Sequence, residues 1–334
     1  MRPQLATSYL GLPLAGPLIA SASPLTGRVE TLLELEAAGA AAVVLPSLFE
    51  EEVLAEEGKL DELLDAGEDF AEFSGAPLPD IEQPELGAGR HLKLVEQAKE
   101  RLRIPVIASL NATRPGSWQR YAAQLAAAGA DALELNLYSV ATDPRRSAAD
   151  VELEHLAAIE AVRIAVDIPL AVKLSPFYSA LSRFASLAVD AGADGLVLFN
   201  RFYAPDLDLD RLSVFATAEL SEPEDQRLPL RWLGIIRGQL PEVGLACSSG
   251  VHSGTEVIKA LLVGADVACT TSAVLRRGPE AITQILAQTE NWLAEHEYSG
   301  VDQLRGAMSA AAVPDPSAYE RAQYKAVLHS GRYV

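Results

Sequence analysis

The sequence predicts an α/β fold, a (β/α)8 barrel of the TIM type, and three observations predict it. A helix tail, a Gly-Ala stop and an apolar strand recur as AAGAAAVVLP (37–46), AAGADALELN (127–136), DAGADGLVLFN (190–200) and LVGADVACTT (262–271). Glycine ends each helix in a left-handed cap, and a continuous apolar run reads as a strand buried on both faces. Ile-Pro leads into two more such strands, IPVIASLN (104–111) and IPLAVKLS (168–175). Strand and helix alternating this often mean βα units on a parallel sheet. No G-x-G-x-x-G follows the first strand, which argues against a doubly wound dinucleotide fold.

Taken in order, Arg2 and LGLPLAGPLIASAS imitate a secretion signal, but Gly11, Pro13, Gly16 and Pro17 break any apolar helix there. The stretch reads as a hairpin followed by the first core strand. Eight strands are expected at 17–22, 41–45, 104–110, 132–136, 169–174, 195–199, 243–247 and 265–269. Helices are expected at 27–38, 118–128, 150–166, 180–191, 230–239, 254–263 and 279–295. Residues 47–90 form an insertion after strand two, acidic to Phe73 and then rich in Pro and Gly; the acidic run reads as a solvated helix face. Residues 201–228 are a second insertion after strand six. The tail beyond 298, with Pro314, Pro316 and Tyr319 to Tyr324, reads as a short terminal helix on the outside. The 334 residues hold no low-complexity linker, so residues 1–334 are expected to form a single domain.

A formal net charge of −19 makes nucleic acid and anionic membranes poor partners. No apolar run reaches the ~18 residues of a membrane span, and the expected location is the cytoplasm. Cys247 and Cys269 lie in apolar strands, so no disulfide is expected. His91, His155, His252, His296 and His329 are scattered without ligand spacing, and no metal site is expected.

Strand ends of a barrel share one mouth, so polar residues there converge. Strand three ends in Ser109 and Asn111, and strand four in Asn136, followed by Tyr138 and Ser139. Strand five carries Lys173 and Ser175, and strand six ends in Asn200. Strand seven runs into Ser248-Ser249-Gly250 and strand eight into Thr270-Thr271-Ser272. Lys173 in an apolar strand needs an anionic or acceptor partner, either a ligand or a neighbouring carboxylate. An Asn that ends a strand serves a planar heterocycle or caps a loop. The small-residue turns after strands seven and eight read as a phosphate cradle in which Gly250 permits close approach. His252 reads as a residue at a helix start.

These residues together resemble the dihydroorotate dehydrogenase family, FMN-dependent barrels of class 1 type. The resemblance runs from GLPLAGPLIASAS to the helix near Trp292. The family's ELN-x-SCPN appears as ELNLYSVA, its VK-x-P as VKLSP, and its Asn after strand six as Asn200. Its GGI turn appears as Ser249-Gly250-Val251, and its Gly-Thr as Thr271-Ser272 ahead of RRGP.

The resemblance implies FMN as cofactor, with Lys173 at the flavin N1–C2=O edge and backbone at Ala22 along the ring. It implies Asn111 and Asn136 on the isoalloxazine or substrate, Asn200 on the substrate, and Ser249, Gly250, Thr271 and Ser272 on the phosphate. Hydride would pass from a dihydropyrimidine-like small molecule to flavin N5 while a base takes a neighbouring proton, and Ser139 falls on the base position. A homodimer is implied as well. The chain departs from the family at Val140-Ala141, where Pro-Asn is usual, and after strand two, where only Ser47 stands for a lysine-serine pair. Glu85 of PELG stands in place of a substrate amide, and Arg201 in place of a small hydroxyl residue. Three readings stay open: a flavoenzyme of pyrimidine-biosynthesis type, a non-catalytic FMN- or pyrimidine-binding paralogue, and a Schiff-base lyase using Lys173.

Overall fold

The computed structural model describes residues 3–49, 87–111, 118–137, 139–201, 205–216 and 219–320. Glu85, the acidic run, Tyr138, Tyr324 and His329 lie outside the described residues.

The chain opens with a hairpin, β1 (Thr7–Tyr9) and β2 (Leu12–Leu14), paired antiparallel. Leu10 and Gly11 both take positive φ (54° and 73°), the conformation that a tight two-residue hairpin turn requires. Then come β3 (Leu18–Ala20), α1 (Val29–Ala37), β4 (Val43–Phe49), α2 (Gly87–Arg101), β5 (Val106–Asn111) and α3 (Trp118–Ala127). β6 (Ala132–Asn136), α4 (Ala148–Ala165), β7 (Leu170–Leu174), α5 (Leu181–Asp190) and β8 (Gly195–Leu198) follow. A second hairpin, β9 (Pro205–Asp208) and β10 (Ser213–Ala216), precedes α6 (Arg227–Gln239), β11 (Gly244–Ser248), α7 (Gly254–Val263) and β12 (Val267–Thr270). The chain continues through α8 (Ser272–Arg277), α9 (Glu280–Glu295), α10 (Val301–Leu304) and α11 (Ser317–Glu320).

Eight parallel strands close into a barrel in the order β11-β12-β3-β4-β5-β6-β7-β8. All eight expected strands are present. The period of two along each strand divides two cores. Outward residues such as Leu133, Leu135, Val172 and Leu196 pack under the helices, and inward ones such as Ile19, Ile107, Ala132, Ala171 and Val197 fill the barrel. The opening hairpin joins the inner core through Tyr9, Leu10 and Leu14. Glycine at the start of two strands makes room for it: a Cβ on Gly195 would lie 2.5 Å from Leu10 Cδ2, and one on Gly244 would lie 3.3 Å from Tyr9.

The repeated Gly-Ala-Asp has a second purpose besides ending a helix. Asp131 accepts from the Val106 amide (2.7 Å), Asp194 from Leu170 (2.8 Å) and Asp266 from Leu245 (2.7 Å). Each carboxylate thus satisfies a buried amide at the foot of the preceding strand. Each also pairs with a cation: Lys99, Arg163, and both Arg237 and Arg305, respectively. The first repeat lacks the Asp, and Glu36 accepts from Arg103 and Ile104 instead.

Three expectations need correction. The second strand runs on to Phe49, with a register shift against β5 between Val44 and Ser47 that carries Ser47 to the mouth. α2 was not expected, although Val95, Ala98 and Leu102 recur at helical spacing and are buried. Among the described residues the tail holds two single-turn helices in place of one, with Tyr319 packed on Gly234 of α6. Cys247 faces the helical layer and Cys269 the barrel interior, and both are free thiols. Among the described residues no helix is long and apolar enough to cross a membrane, and no cluster of metal-ligating side chains occurs.

Candidate active site

The inward period that fills the barrel with Ala and Ile turns polar at its upper end. Along β5 the inward positions read Ile107, Ser109, Asn111; along β6, Ala132, Glu134, Asn136; along β7, Ala171, Lys173. Parallel registers set Ser109 beside Glu134, Asn111 beside Asn136, and Asn136 beside Lys173. A cavity of about 590 Å³ opens above them, within the roughly 300–1,000 Å³ usual for small-molecule sites.

Every residue expected to bind a cofactor lines this cavity: Ala22, Asn111, Asn136, Lys173, Asn200, Ser249, Gly250, Thr271 and Ser272. Ser47, Arg201 and Ser248 line it too, as do Ser21, Ser23, Glu219 and Ser221, which sequence reasoning passed over.

On the floor, Lys173 Nζ donates to Glu134 Oε1 at 3.2 Å, and both side chains are buried. Lys173 therefore has the neighbouring carboxylate that was one of its two expected partners, while still reaching the cavity wall. Glu134 had not been singled out, although it lies two residues before Asn136 and so on the same face. Asn136 Nδ2 donates to Ser109 Oγ (2.8 Å), Leu110 O (3.1 Å) and Ser47 Oγ (3.2 Å), and the two serine hydroxyls bond each other at 2.7 Å. This locks the amide in one orientation.

The opposite wall is built of small residues. Ser249 has a positive φ of 81° and Gly250 one of 73°. A Cβ on Gly250 would stand 2.6 Å from the Gln226 amide nitrogen, so the space that this glycine leaves is taken by the chain before α6 and not by a ligand. Ser272 Oγ accepts from the Ser221 amide (2.9 Å) and from Ser221 Oγ (2.9 Å), tying that segment over the wall. His252 bonds Ser221 Oγ through Nε2 at 3.3 Å and directly precedes the Ser253 cap of α7, consistent with a residue at a helix start. Its pKa is lowered mainly by burial. At the rim, Arg201 pairs with Asp225 (2.9 Å) and Arg276 with Glu222.

Ser139 is placed differently. It sits on the loop after β6, half-buried, and is not among the residues that line the cavity. Its Oγ lies 2.9 Å from His155 Nε2, and His155 Nδ1 lies 2.8 Å from Tyr178 Oη. Val140, the residue after it, is exposed.

Comparison with known proteins follows the same lines. A family model described as dihydroorotate dehydrogenase matches residues 83–293, more than half of the chain. The catalytic subunit of dihydroorotate dehydrogenase B (NAD(+)) from Pelobacter propionicus is 34% identical over 155 residues, 45% of this chain and 50% of that one. The corresponding subunit from Methanothermobacter thermautotrophicus is 27% identical over 225 residues, 64% of this chain and 71% of that one. The chain thus spans half the length of the first of these relatives. A crystal structure of DHODH from Eimeria tenella in complex with ferulenol superposes with a TM-score of 0.64 at 14% identity, over 91% of this chain and 88% of that one. At that identity the likeness concerns the fold.

Proposed function

From the premise that the chain belongs to the dihydroorotate dehydrogenase family, we propose that it is an FMN-dependent oxidoreductase acting on a CH–CH bond of a small, dihydropyrimidine-like substrate. The observation that carries this reading is the convergence, on one cavity, of polar residues from the ends of β3, β5, β6, β7, β8, β11 and β12. The donor set fits FMN. A cation and two amides stand at one end, and the small residues Ser249, Gly250, Thr271 and Ser272 stand at the other.

Bound there, FMN would supply the two-electron acceptor for the hydride. Lys173, Asn111 and Asn136 would hold the ring, with Ala22 along it, and Ser249, Gly250, Thr271 and Ser272 would hold the phosphate. Asn136 and Asn200 would orient the substrate. The locked amide of Asn136 is suited to that task, because its rotamer is set before any ligand arrives. Ser139 would take the proton. A serine hydroxyl is a weak base and needs an acceptor for its own proton.

The test is a visible spectrum of the purified protein followed by anaerobic addition of dihydroorotate. An oxidised-flavin spectrum that bleaches supports the reading. A colourless protein that takes up no added FMN overturns it. A second reading, a catalytically inactive FMN- or pyrimidine-binding paralogue, draws support from Ser139 lying off the cavity lining with its hydroxyl engaged by His155. It requires bound FMN that no dihydropyrimidine reduces, and a Ser139→Ala variant that behaves as the parent does.

A further inference from the structure

We propose that Ser139, His155 and Tyr178 form a proton relay that carries the substrate's proton away from Ser139, on the loop after β6, to the outer surface of the barrel. The inference rests on the reading of Ser139 as the base and supplies the acceptor that a serine base lacks.

The three groups come from separate elements: the loop after β6, the helix α4, and the loop between β7 and α5. Ser139 follows Asn136, a cavity residue, by three positions, a reach of at most ~11 Å of extended chain. His155 is buried, and its two ring nitrogens bond Ser139 Oγ (2.9 Å) and Tyr178 Oη (2.8 Å). Packing holds the ring on its other sides. Tyr178 meets His155 edge-on at 5.8 Å and stacks on Phe184 at 3.9 Å, and Phe184 in turn meets His155 edge-on at 6.2 Å. Tyr178 is only half-buried, so the chain of hydrogen bonds ends within reach of water.

With the proton on Nδ1, the imidazole donates to Tyr178 Oη and accepts the Ser139 hydroxyl at Nε2; the other tautomer reverses both bonds. In the forward step Ser139 Oγ takes the substrate's C–H proton as its own hydroxyl proton moves to Nε2. The Nδ1 proton passes to Tyr178 Oη, whose proton leaves to water. The electron pair leaves with the substrate's hydride, which FMN, when bound, would accept. No net charge remains in the helical layer. A neutral imidazole is required, and burial provides one by pushing His155 down to about 4. The charged groups facing it are Glu154, which opposes that shift, and Arg146, which adds to it; they pair with each other at 2.7 Å. Glu152, beside Tyr178, adds to the burial that keeps the phenol protonated.

The test uses FMN-loaded protein reduced anaerobically in a single turnover by dihydroorotate. His155→Phe keeps the aromatic packing and should slow reduction about 100-fold, with flavin content and substrate affinity unchanged. Tyr178→Phe should turn a curved proton inventory in H2O/D2O mixtures into a linear one. Independently of turnover, ¹⁵N shifts of His155 should be those of a neutral ring between pH 5 and 8; an imidazolium in that range overturns the relay even if His155→Phe fails to fold. Loss of reduction in Ser139→Ala, with parental rate and isotope effect in both relay variants, overturns the relay alone. Parental reduction in Ser139→Ala, or no reduction of the parent by dihydroorotate, removes the base reading and the relay together.

Discussion

Replacing Glu134 with Gln tests how the cavity floor is held. Lys173 Nζ and Glu134 Oε1 are 3.2 Å apart, and both side chains are buried. At an effective dielectric constant of about 20 that separation is worth roughly 5 kcal/mol, set against a desolvation penalty of several kcal/mol per ion. Gln keeps the shape and the acceptor oxygen but removes the charge, leaving a buried ammonium against a neutral amide. Deleting one partner of a buried pair costs about 3–5 kcal/mol. Because Lys173 borders the cavity, water there takes up part of its charge, and the lower end, about 3 kcal/mol, is expected. Guanidinium unfolding of the parent, Glu134→Gln, Lys173→Met and the double variant gives the coupling directly, and about 2 kcal/mol is expected. Single effects that add to within about 0.5 kcal/mol would show that the two side chains do not interact in solution and refute the argument.

Four further outcomes follow from the same geometry. Gly250→Ala forces a side chain against the Gln226 amide at positive φ and should destabilise the protein by about 1–3 kcal/mol; an unchanged unfolding midpoint would show that the loop relaxes freely. The His155 pKa of about 4 lies below its unfolded value of about 6.5, so its contribution is present above pH ~6.5 and lost as pH falls through about 4. That is worth up to about 3 kcal/mol, and the stability of His155→Phe should depend less on pH over this window than that of the parent. Burial pushes Cys247, which lies off the cavity, up to about 12, so a thiol reagent should leave it unmodified in the native protein and modify it after denaturation. The exposed Leu207, Leu209, Leu212 and Val214 of the β9–β10 hairpin offer an apolar surface for the homodimer that the family resemblance implies. Sedimentation should give a dimer that Leu209→Lys with Leu212→Lys dissociates; a monomeric parent would end that idea.

The barrel was legible because both of its signals are local. Gly129, Gly192 and Gly264 end helices at positive φ, and the apolar runs after them are long enough to be strands buried on both sides. The strand ends located the expected cofactor residues: Asn111 and Asn136 close their strands, Lys173 lies near the end of its own, and parallel strands bring such positions to one mouth. Glu134 lies on the same face two residues before Asn136, but a single acidic residue within an apolar strand carries no local sign of the lysine it meets on the next strand. The Asp of each Gly-Ala-Asp was visible as a repeat, but the strand-foot amide it satisfies lies some 21–25 residues earlier in the chain.

The sequence by itself determined which residues stand on the inner face and at which end of the barrel, because strand period and parallel direction are properties of each βα unit. Only the tertiary structure decided which of them touch. Lys173 meets Glu134, Gly250 gives way to Gln226, and Ser139 reaches His155 and Tyr178 across two neighbouring units. Those distances are set by barrel closure, by strand register and by how each helix docks on the sheet, none of which is encoded within a single unit.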